Sequence, residues 1–538
     1  MEMGISGDHN TAYIVPKALI PQFKQIIESK KCIFWNAQFD CGFLKQMGIN
    51  PNVFFDGMLA HYTIDERPYG HGLKAVAGRY LGCDDWERNI QQYLPSRSKD
   101  ISYSVIPTDV RHEYLAKDVT RTYHLREALE PDINKKVFWD ILMPACRMFV
   151  EIENKGMRID PVRLMNMDGT LSEELTRMDG EILKETEGQW FNPKSFPQCS
   201  DFVYNKLGVP MDPHYGTSTS KQAMESLREQ YPIIDLMLDY REVAHLQGAY
   251  VENFARFVDQ TFRIHPSIKL FGAVTGRLSS ENPSIMNVKS LKELKRIFLP
   301  DVGEVLLTSD VKQNELRWYY IYSGDEVLGD ILKSTPTPEQ PRKNDPHYIV
   351  SEIAYGKANA DKMRTAAKAV VFGRLYKRST ADIERQVGHE VIGQLIETVD
   401  GLFPKIGEYS RQIMKEIRQK GYLESYFGRR RKFMLLTPET IHEVERQGVN
   451  FPIQSAGSDL MLLNMLHLWK IKDKFGIYPF WPLHDSITMT AKDKDVLPLV
   501  KKEMEDYSLE LVQNRVPFVW DCDWGVNYAM DKEKEAIR

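Results

Sequence analysis

Two aspartates stand where runs of β-forming residues stop. Asp310 closes EVLLTSD ahead of a helical segment, and Asp485 sits in PFWPLHDSITMT, which reads as strand, tight turn, strand. Two carboxylates far apart in sequence, each at a strand tip, are what a two-metal phosphoryl-transfer site requires. Mg²⁺ takes oxygen ligands and is usually held by one or two carboxylates plus substrate phosphates. A pair of such ions can steady both the attacking and the leaving oxygen of an in-line displacement. Taken alone, an aspartate at a strand end is more often a cap or turn residue. In DKMRTAAKAVVFGRLYK, Arg364, Lys368, Phe372 and Tyr376 recur every fourth residue, along one stripe of a helix. Two cations followed by two rings suit a triphosphate and then a base and sugar. The same stripe could equally send its rings into a core while its cations snorkel.

Carboxylates at strand tips need a sheet behind them, and the stripe needs a helix. Strand patterns carry the two acidic motifs over about 261–340 and again over about 435–538, so one sheet is expected from both. The intervening segment, about 341–434, reads as helical, and about 131–260 as long amphipathic helices. Residues up to about 130 mix short strands with helices, which makes the chain α/β and multidomain.

A chain of 538 residues is expected to hold several domains at roughly 100–200 residues each, and 42% hydrophobic residues can build their cores. No apolar run approaches the ~20 residues of a membrane span. MEMGISGDHN lacks the basic and apolar regions of a signal peptide. Six cysteines without CxxC spacing indicate neither a zinc site nor a disulfide framework, so a reducing, cytoplasm-like compartment is expected. The net charge of −5 is no bar to a nucleic-acid partner, because phosphate binding needs a local basic surface. Arg429, Arg430, Arg431 and Lys432 form one such cluster; Lys289, Lys292, Lys295 and Arg296 form another. Charge runs are usually solvated faces, but within this motif set both are read as DNA contacts. TPTPEQPRKNDP, from Thr335, is the clearest linker-like stretch.

The motifs resemble those of family A DNA polymerases, the group containing bacterial DNA polymerase I and many phage replicases. TGRLSSENPSIMNV is similar to TGRLSS…PNLQNIP, SDVKQNELR to motif A (DYSQIELR), RTAAKAVVFGRLYK to motif B (RxxxKxxxFGxxYG) and LHDSI to motif C (VHDEI). Between B and C, YFGRRR and ERQGVNFPIQSAGSDL resemble the GRRR and RxxxNxPIQGTAADL elements. Six matches in family order are highly specific. The resemblance implies a right-hand polymerase preceded by a partial ribonuclease H-like exonuclease domain. Its expected parts are exonuclease-like 1–130, linker and helical thumb 131–260, palm 261–340 and 435–538, and fingers 341–434.

The implied reaction is template-directed DNA synthesis, in which a primer 3′-hydroxyl attacks a deoxynucleoside triphosphate and pyrophosphate leaves. Asp310, Asp485 and the carbonyl of Val311 would hold two Mg²⁺ ions. Arg364, Lys368 and His347 would hold the triphosphate, with Lys368 placed to protonate the pyrophosphate; Gln313 and Phe372 would also contact the nucleotide. Gly373 would leave room for a base, and Tyr376 would close the nascent pair. Glu315 matches the residue that blocks a 2′-hydroxyl, the group that separates ribo- from deoxyribonucleotides. Arg277, Asn287, Gln454, Arg446, Asn450, His484, Arg429 and Arg430 would contact DNA. One Arg and one Gln in the minor groove can check pair shape without reading sequence. In the thumb, NPKS and TSTS offer Ser and Thr at helix starts, where phosphates or plain N-caps are both served.

NAQFD and RHEYLAKDVT resemble the second and third motifs of the family's 3′–5′ exonuclease through Asp40, Tyr114 and Asp118. Asp56, in FFDGML, belongs to the same region. The first motif has no counterpart among residues 1–30, so a partly folded domain without cleavage is expected. Three departures stand out: Ser486 after the motif C acid, Lys377 in place of a Gly, and Val311-Lys312 in place of Tyr-Ser. The expected partners are primer–template DNA, deoxynucleoside triphosphates and replication accessory proteins. The same resemblance implies a cytoplasmic monomer in a bacterial or phage-infected cell, with an organelle as the alternative. A repair or lesion-bypass polymerase is the alternative within enzymes; a non-catalytic primer–template binder has no use for two metal acids.

Overall fold

The computed structural model describes residues 2–94, 103–212, 215–286, 288, 291–433, 436–483 and 485–532. Asn287, Lys289 and His484, singled out above, lie outside the described residues. The chain divides into two units: 1–155 with 267–281 and 303–524, and 156–266 with 282–302 and 525–538.

The first unit begins with β1 (Glu2–Ile5) and β2 (Tyr13–Pro16), an antiparallel pair in which Glu2 faces Pro16. Next come β3 (Cys32–Phe34), α1 (Ala37–Gln46) and β4 (Val53–Asp56), with β3 and β4 parallel. Then follow α2 (Gly57–Ile64), α3 (Leu73–Leu81), α4 (Thr108–Leu129) and α5 (Met143–Lys155). The partial fold expected here is not what the structure shows. Val15, Ile20, Ile27, Leu44 and Ile49 form a buried cluster onto which Met3 and Ile5 of β1 and Cys32 and Phe34 of β3 pack. Both strand pairs thus share one core, and burying that apolar surface orders the region.

The second unit contains β5 (Met157–Ile159), α6 (Pro161–Glu185), α7 (Pro232–Leu246) and β6 (Arg263–Ile264). β5 is flanked by β6 and by a strand at Phe298–Leu299, antiparallel to both. Asp160 caps α6 by accepting from Val162 N and Arg163 N, and Pro161 supplies the preset first turn. Ile182, Phe191, Cys199, Val203, Ile234 and Met237 are its core. The compact units part at 156 and 266, where the sequence pattern suggests 131 and 260, and residues 525–532 group with the second unit. The reason is chemical. Asp531 gathers Lys292 at 3.2 Å and Arg296 at 2.7 Å, and Lys295 lies over the Tyr528 ring. These cations, read from the sequence as a DNA surface, are occupied within the unit.

The rest of the first unit is built on one antiparallel sheet. Its strands are β7 (Val305–Val311), β8 (Ile477–Leu483), β9 (Ser486–Ala491) and β10 (Trp520–Gly525), in the order β8-β9-β7-β10. β7 and β9 pair from Val305↔Ala491 to Asp310↔Ser486. Leu306, Leu307, Ser309 and Val311 are buried while Asp310 is exposed, so the strand's pleat turns that acid outward. The helical parts used below are α8 (Asn314–Ser323), α9 (Pro346–Tyr355), α10 (Ala360–Leu375), α11 (Thr380–Val387) and α12 (Ile441–Phe475). Among the described residues, no helix is long and apolar enough to cross a membrane.

Candidate active site

The two acids predicted from opposite ends of the chain meet at the sheet. Asp485 occupies the turn between β8 and β9, Asp310 faces Ser486 at the end of β7, and Val311 N donates to the Asp485 carbonyl at 3.0 Å. Partial burial, then the charges of Asp485 and Asp521, push Asp310 up to about 6, while Lys368 pulls the other way. Neighbouring carboxylates are the oxygen donors a hard cation takes, and two of them suit Mg²⁺. The residues present therefore fit the metal expected. Asn314, which sequence reasoning missed, donates from Nδ2 to Asp485 Oδ1 at 3.0 Å. A Cβ on Gly457 of α12 would lie 2.9 Å from that nitrogen, so a glycine there lets Asn314 stand beside the acid.

The motif B stripe lies along α10 with all four residues at least partly accessible. Lys368 Nζ is 6.0 Å from the Phe372 ring, and Phe372 stacks on Tyr376 with centroids 6.0 Å apart and planes 12° from parallel. His347 adds its ring 5.4 Å from Phe372. Phe372 thus has His347, Lys368 and Tyr376 as neighbours of its ring. Burial takes His347 down to about 4; Asp345 opposes this, while Arg364 and Lys368 assist. The imidazole is neutral at physiological pH, and its Nδ1 has no hydrogen-bond partner, so it can address an oxyanion. Arg364 is held by Asp345, Nε to Oδ2 2.6 Å, and Asp345 also caps α9 by accepting from His347 N and Tyr348 N. That aspartate was legible in NDPHYIV as Asp-Pro at a helix start.

Glu315 lies beside both Tyr376 and Arg277, with Arg277 Nη2 3.3 Å from Glu315 Oε1. Burial raises the Glu315 carboxyl above its ordinary value, and burial with the Glu315 charge raises the Tyr376 phenol. Gln313 adopts φ +54 at the start of α8; its Nε2 donates to the Asn344 carbonyl at 3.2 Å, and Arg317 Nη2 donates to its Oε1 at 3.4 Å. Both ends of its amide are thus engaged within the protein. Arg446, Asn450 and Gln454 follow at four-residue spacing on one stripe of α12, and Arg446 also reaches Glu443 at 3.4 Å.

Two sequence expectations need correction. Arg429 is no DNA-facing cation: it is buried, its Nε bridges both Asp459 oxygens at 2.8 and 2.9 Å, and its guanidinium lies over the Tyr62 ring. A buried arginine is retained here because a buried carboxylate answers it. Arg430 stays exposed, bonded to Glu424 at 2.8 Å. Gly373 leaves room for Ile383 of α11 rather than for a base, since a Cβ there would lie 2.5 Å from Ile383 Cδ1.

The exonuclease-like residues also come together. Burial, then the charges of Asp56 and Asp118, push Asp40 up to about 7. Asp118 is engaged by Lys74 of α3 at 2.8 Å and by Trp86 Nε1 at 2.9 Å, and Lys74 also donates to the Tyr114 hydroxyl at 2.7 Å. Asp56 is a buried cap, accepting from Ala37 N at 2.7 Å, Met58 N at 2.9 Å and Leu59 N at 3.1 Å. Lys74 carried no motif and was invisible in the sequence.

Residues 162–530 match the model of DNA polymerase family A, and residues 7–134 match that of a 3′–5′ exonuclease. The chain is 28% identical over 523 residues to DNA polymerase I of Chloroflexus aurantiacus, covering 92% of this chain and 54% of that one. It is 30% identical over 411 residues to the thermostable DNA polymerase I of Thermus filiformis, covering 72% and 48%. With the DNA polymerase of Escherichia phage T5 it shares 25% identity over 499 residues, covering 81% and 58%. The chain spans about half the length of the curated relatives it matches. Its fold is that of the POL domain of Pol1 from M. smegmatis, solved in complex with DNA primer-template and dNTP: TM-score 0.80 at 19% identity, over 97% of this chain and 91% of that one.

Proposed function

The chain belongs to DNA polymerase family A, and from that premise we propose that it adds deoxynucleotides to a primer 3′-hydroxyl on a DNA template. The observation that carries this reading is the meeting of Asp310 and Asp485 at one end of the sheet's central strands, with the neutral His347 and the cations of α10 gathered as a second cluster. Asp310, Asp485 and the Val311 carbonyl would hold divalent cations, Mg²⁺ by the choice of oxygen donors. When bound, those ions supply charge stabilisation to the attacking and leaving oxygens. The chain's own residues do the positioning that such chemistry mostly consists of. Arg364, fixed by Asp345, and Lys368 hold the triphosphate; Lys368 donates a proton to the departing pyrophosphate. The stacked Phe372 and Tyr376 form a flat wall for sugar and base. Glu315 occupies the space a 2′-hydroxyl would need, which selects deoxynucleotides. Arg277, Arg430, Arg446, Asn450 and Gln454 contact the primer–template.

In this reading the exonuclease-like region does not cleave. Lys74 already pairs with Asp118, so that acid is engaged by an internal cation. The test is primer extension on a DNA template with Mg²⁺, alongside Asp485→Asn. Extension by the unmodified chain, lost by several kcal/mol or at least about a thousandfold in the variant, is expected. No extension by the unmodified chain would sink the reading. Without nucleotides, the same primer should keep its 3′ end intact.

A further inference from the structure

We propose that Asp521 is a positioning residue that keeps the paired acids open to cations by holding Lys312 away from Asp310. The inference rests on the polymerase reading above, and concerns a cation that this reading leaves unexplained. Lys312 follows Asp310 by two positions, and both are exposed while Val311 between them is buried. They therefore share the open face of the sheet. Two contacts set the register of β7 against β10: Lys312 N donates to the Val519 carbonyl at 2.9 Å, and Cys522 Sγ donates to Ser309 Oγ at 3.2 Å. Between those contacts, Asp521 lies across the strand pair from Asp310.

Lys312 chooses between them. Its Nζ is 2.7 Å from Asp521 Oδ1, so the ammonium leans across to β10 instead of back along β7. Same-face neighbours on a strand are about 7 Å apart, within reach of a lysine's flexible four-carbon stem. Deprived of Asp521, Lys312 has Asp310 as the neighbouring acid on that face. An ammonium there would stand where a divalent cation must bind. On the other side of Asp310, Ser486 brings no charge to the row. Asp521 thus does two things at once: it adds negative potential beside Asp310 and removes an internal competitor.

The experiment is Mn²⁺ binding, counted by the loss of the free-ion paramagnetic signal, with dideoxy-terminated primer–template and the next dNTP present. Asp521→Asn should raise the half-saturating Mn²⁺ about threefold to tenfold, with primer–template affinity unchanged. Combining it with Lys312→Ser should restore Mn²⁺ binding, because the competitor is then gone. Thermal melts of both variants check that the sheet is intact; both positions are exposed, so little change is expected. An Asn variant that binds Mn²⁺ as the unmodified chain does would overturn the proposal. So would weakened binding that the Ser substitution leaves unrestored, since Asp521 would then act as a ligand rather than as a tether. If the unmodified chain extends primers and Asp521→Asn changes nothing, this inference fails alone. If the unmodified chain binds no Mn²⁺, the two-acid reading fails and takes this one with it.

Discussion

At the residue scale the chemistry turns on how few groups are left to hold charge. Asp310 opens to solvent on one side, yet the protein packed around its base and the acids Asp485 and Asp521 push it up to about 6, well above an ordinary carboxyl near 3.9. A raised acid keeps its proton further up the scale, so below about pH 6 a cation must displace that proton before it binds. Half-saturating Mn²⁺ is therefore expected to climb roughly tenfold per pH unit below that point and to level off above pH 7. Mn²⁺ titrations across pH 5 to 8 check this, and Asp310→Asn should abolish the dependence along with most of the binding. Phe372 is the residue where specificity can be read directly. Its ring lies among His347, Lys368 and Tyr376 and carries no hydroxyl. A dideoxynucleotide then leaves polar neighbours unpaired, at a cost of about 1–3 kcal/mol. Phe372→Tyr should relax discrimination against dideoxynucleotides about tenfold to hundredfold. Single-nucleotide incorporation of deoxy against dideoxy substrates measures it, and an unchanged ratio would remove Phe372 from the sugar's side.

At the scale of elements, the GRRR turn does something the sequence concealed. Arg429 joins α12 through Asp459 and reaches the Tyr62 ring on α2, and a Cβ at Gly276 would lie 2.6 Å from its Nε. Three segments distant in the chain close on one guanidinium. Removing it strands the Asp459 charge in a dry site, so Arg429→Ala should destabilise the first unit by about 3–5 kcal/mol. Replacing the pair together, Arg429→Met with Asp459→Leu, should recover most of the loss because no charge is then left buried. Denaturant titrations of the three proteins give the comparison. At temperatures where Arg429→Ala remains folded, its affinity for primer–template should match the unmodified chain; a salt-dependent drop would return Arg429 to the DNA surface.

Within the first unit, the exonuclease-like segment is tied to residues 267–269 by a half-buried carboxyl. Glu153 on α5 accepts from Gln38 Nε2 on α1 and from Ile268 N. Burial pushes it up to about 7 despite those two donors. The folded state therefore prefers the proton more strongly than the unfolded chain does, and stability falls as pH rises from about 4.5 to about 7. A glutamine keeps an acceptor oxygen and never ionises. Glu153→Gln should melt progressively higher than the unmodified chain as pH is raised from 5 to 8. Parallel melting curves at both pH values would show that Glu153 bears no buried charge.

The sequence by itself determined which chemistry was available. The strand-tip acids and the four-residue stripe of α10 are local patterns, written in spacing and side-chain type, and they needed no knowledge of what lay opposite. It also placed the sheet in two distant segments, because period-two strand patterns are local too. Pairing was beyond its reach. That Arg429 faces an acid instead of a phosphate, that Gly373 admits Ile383, that Lys74 occupies Asp118 and that Asp521 stands across from Asp310 are contacts between residues 10 to more than 200 positions apart. A charge looks the same in the sequence whether its partner is solvent, nucleic acid or another side chain. Only the packed structure, by burying one side of each pair and aligning strands in register, decides which partner it meets.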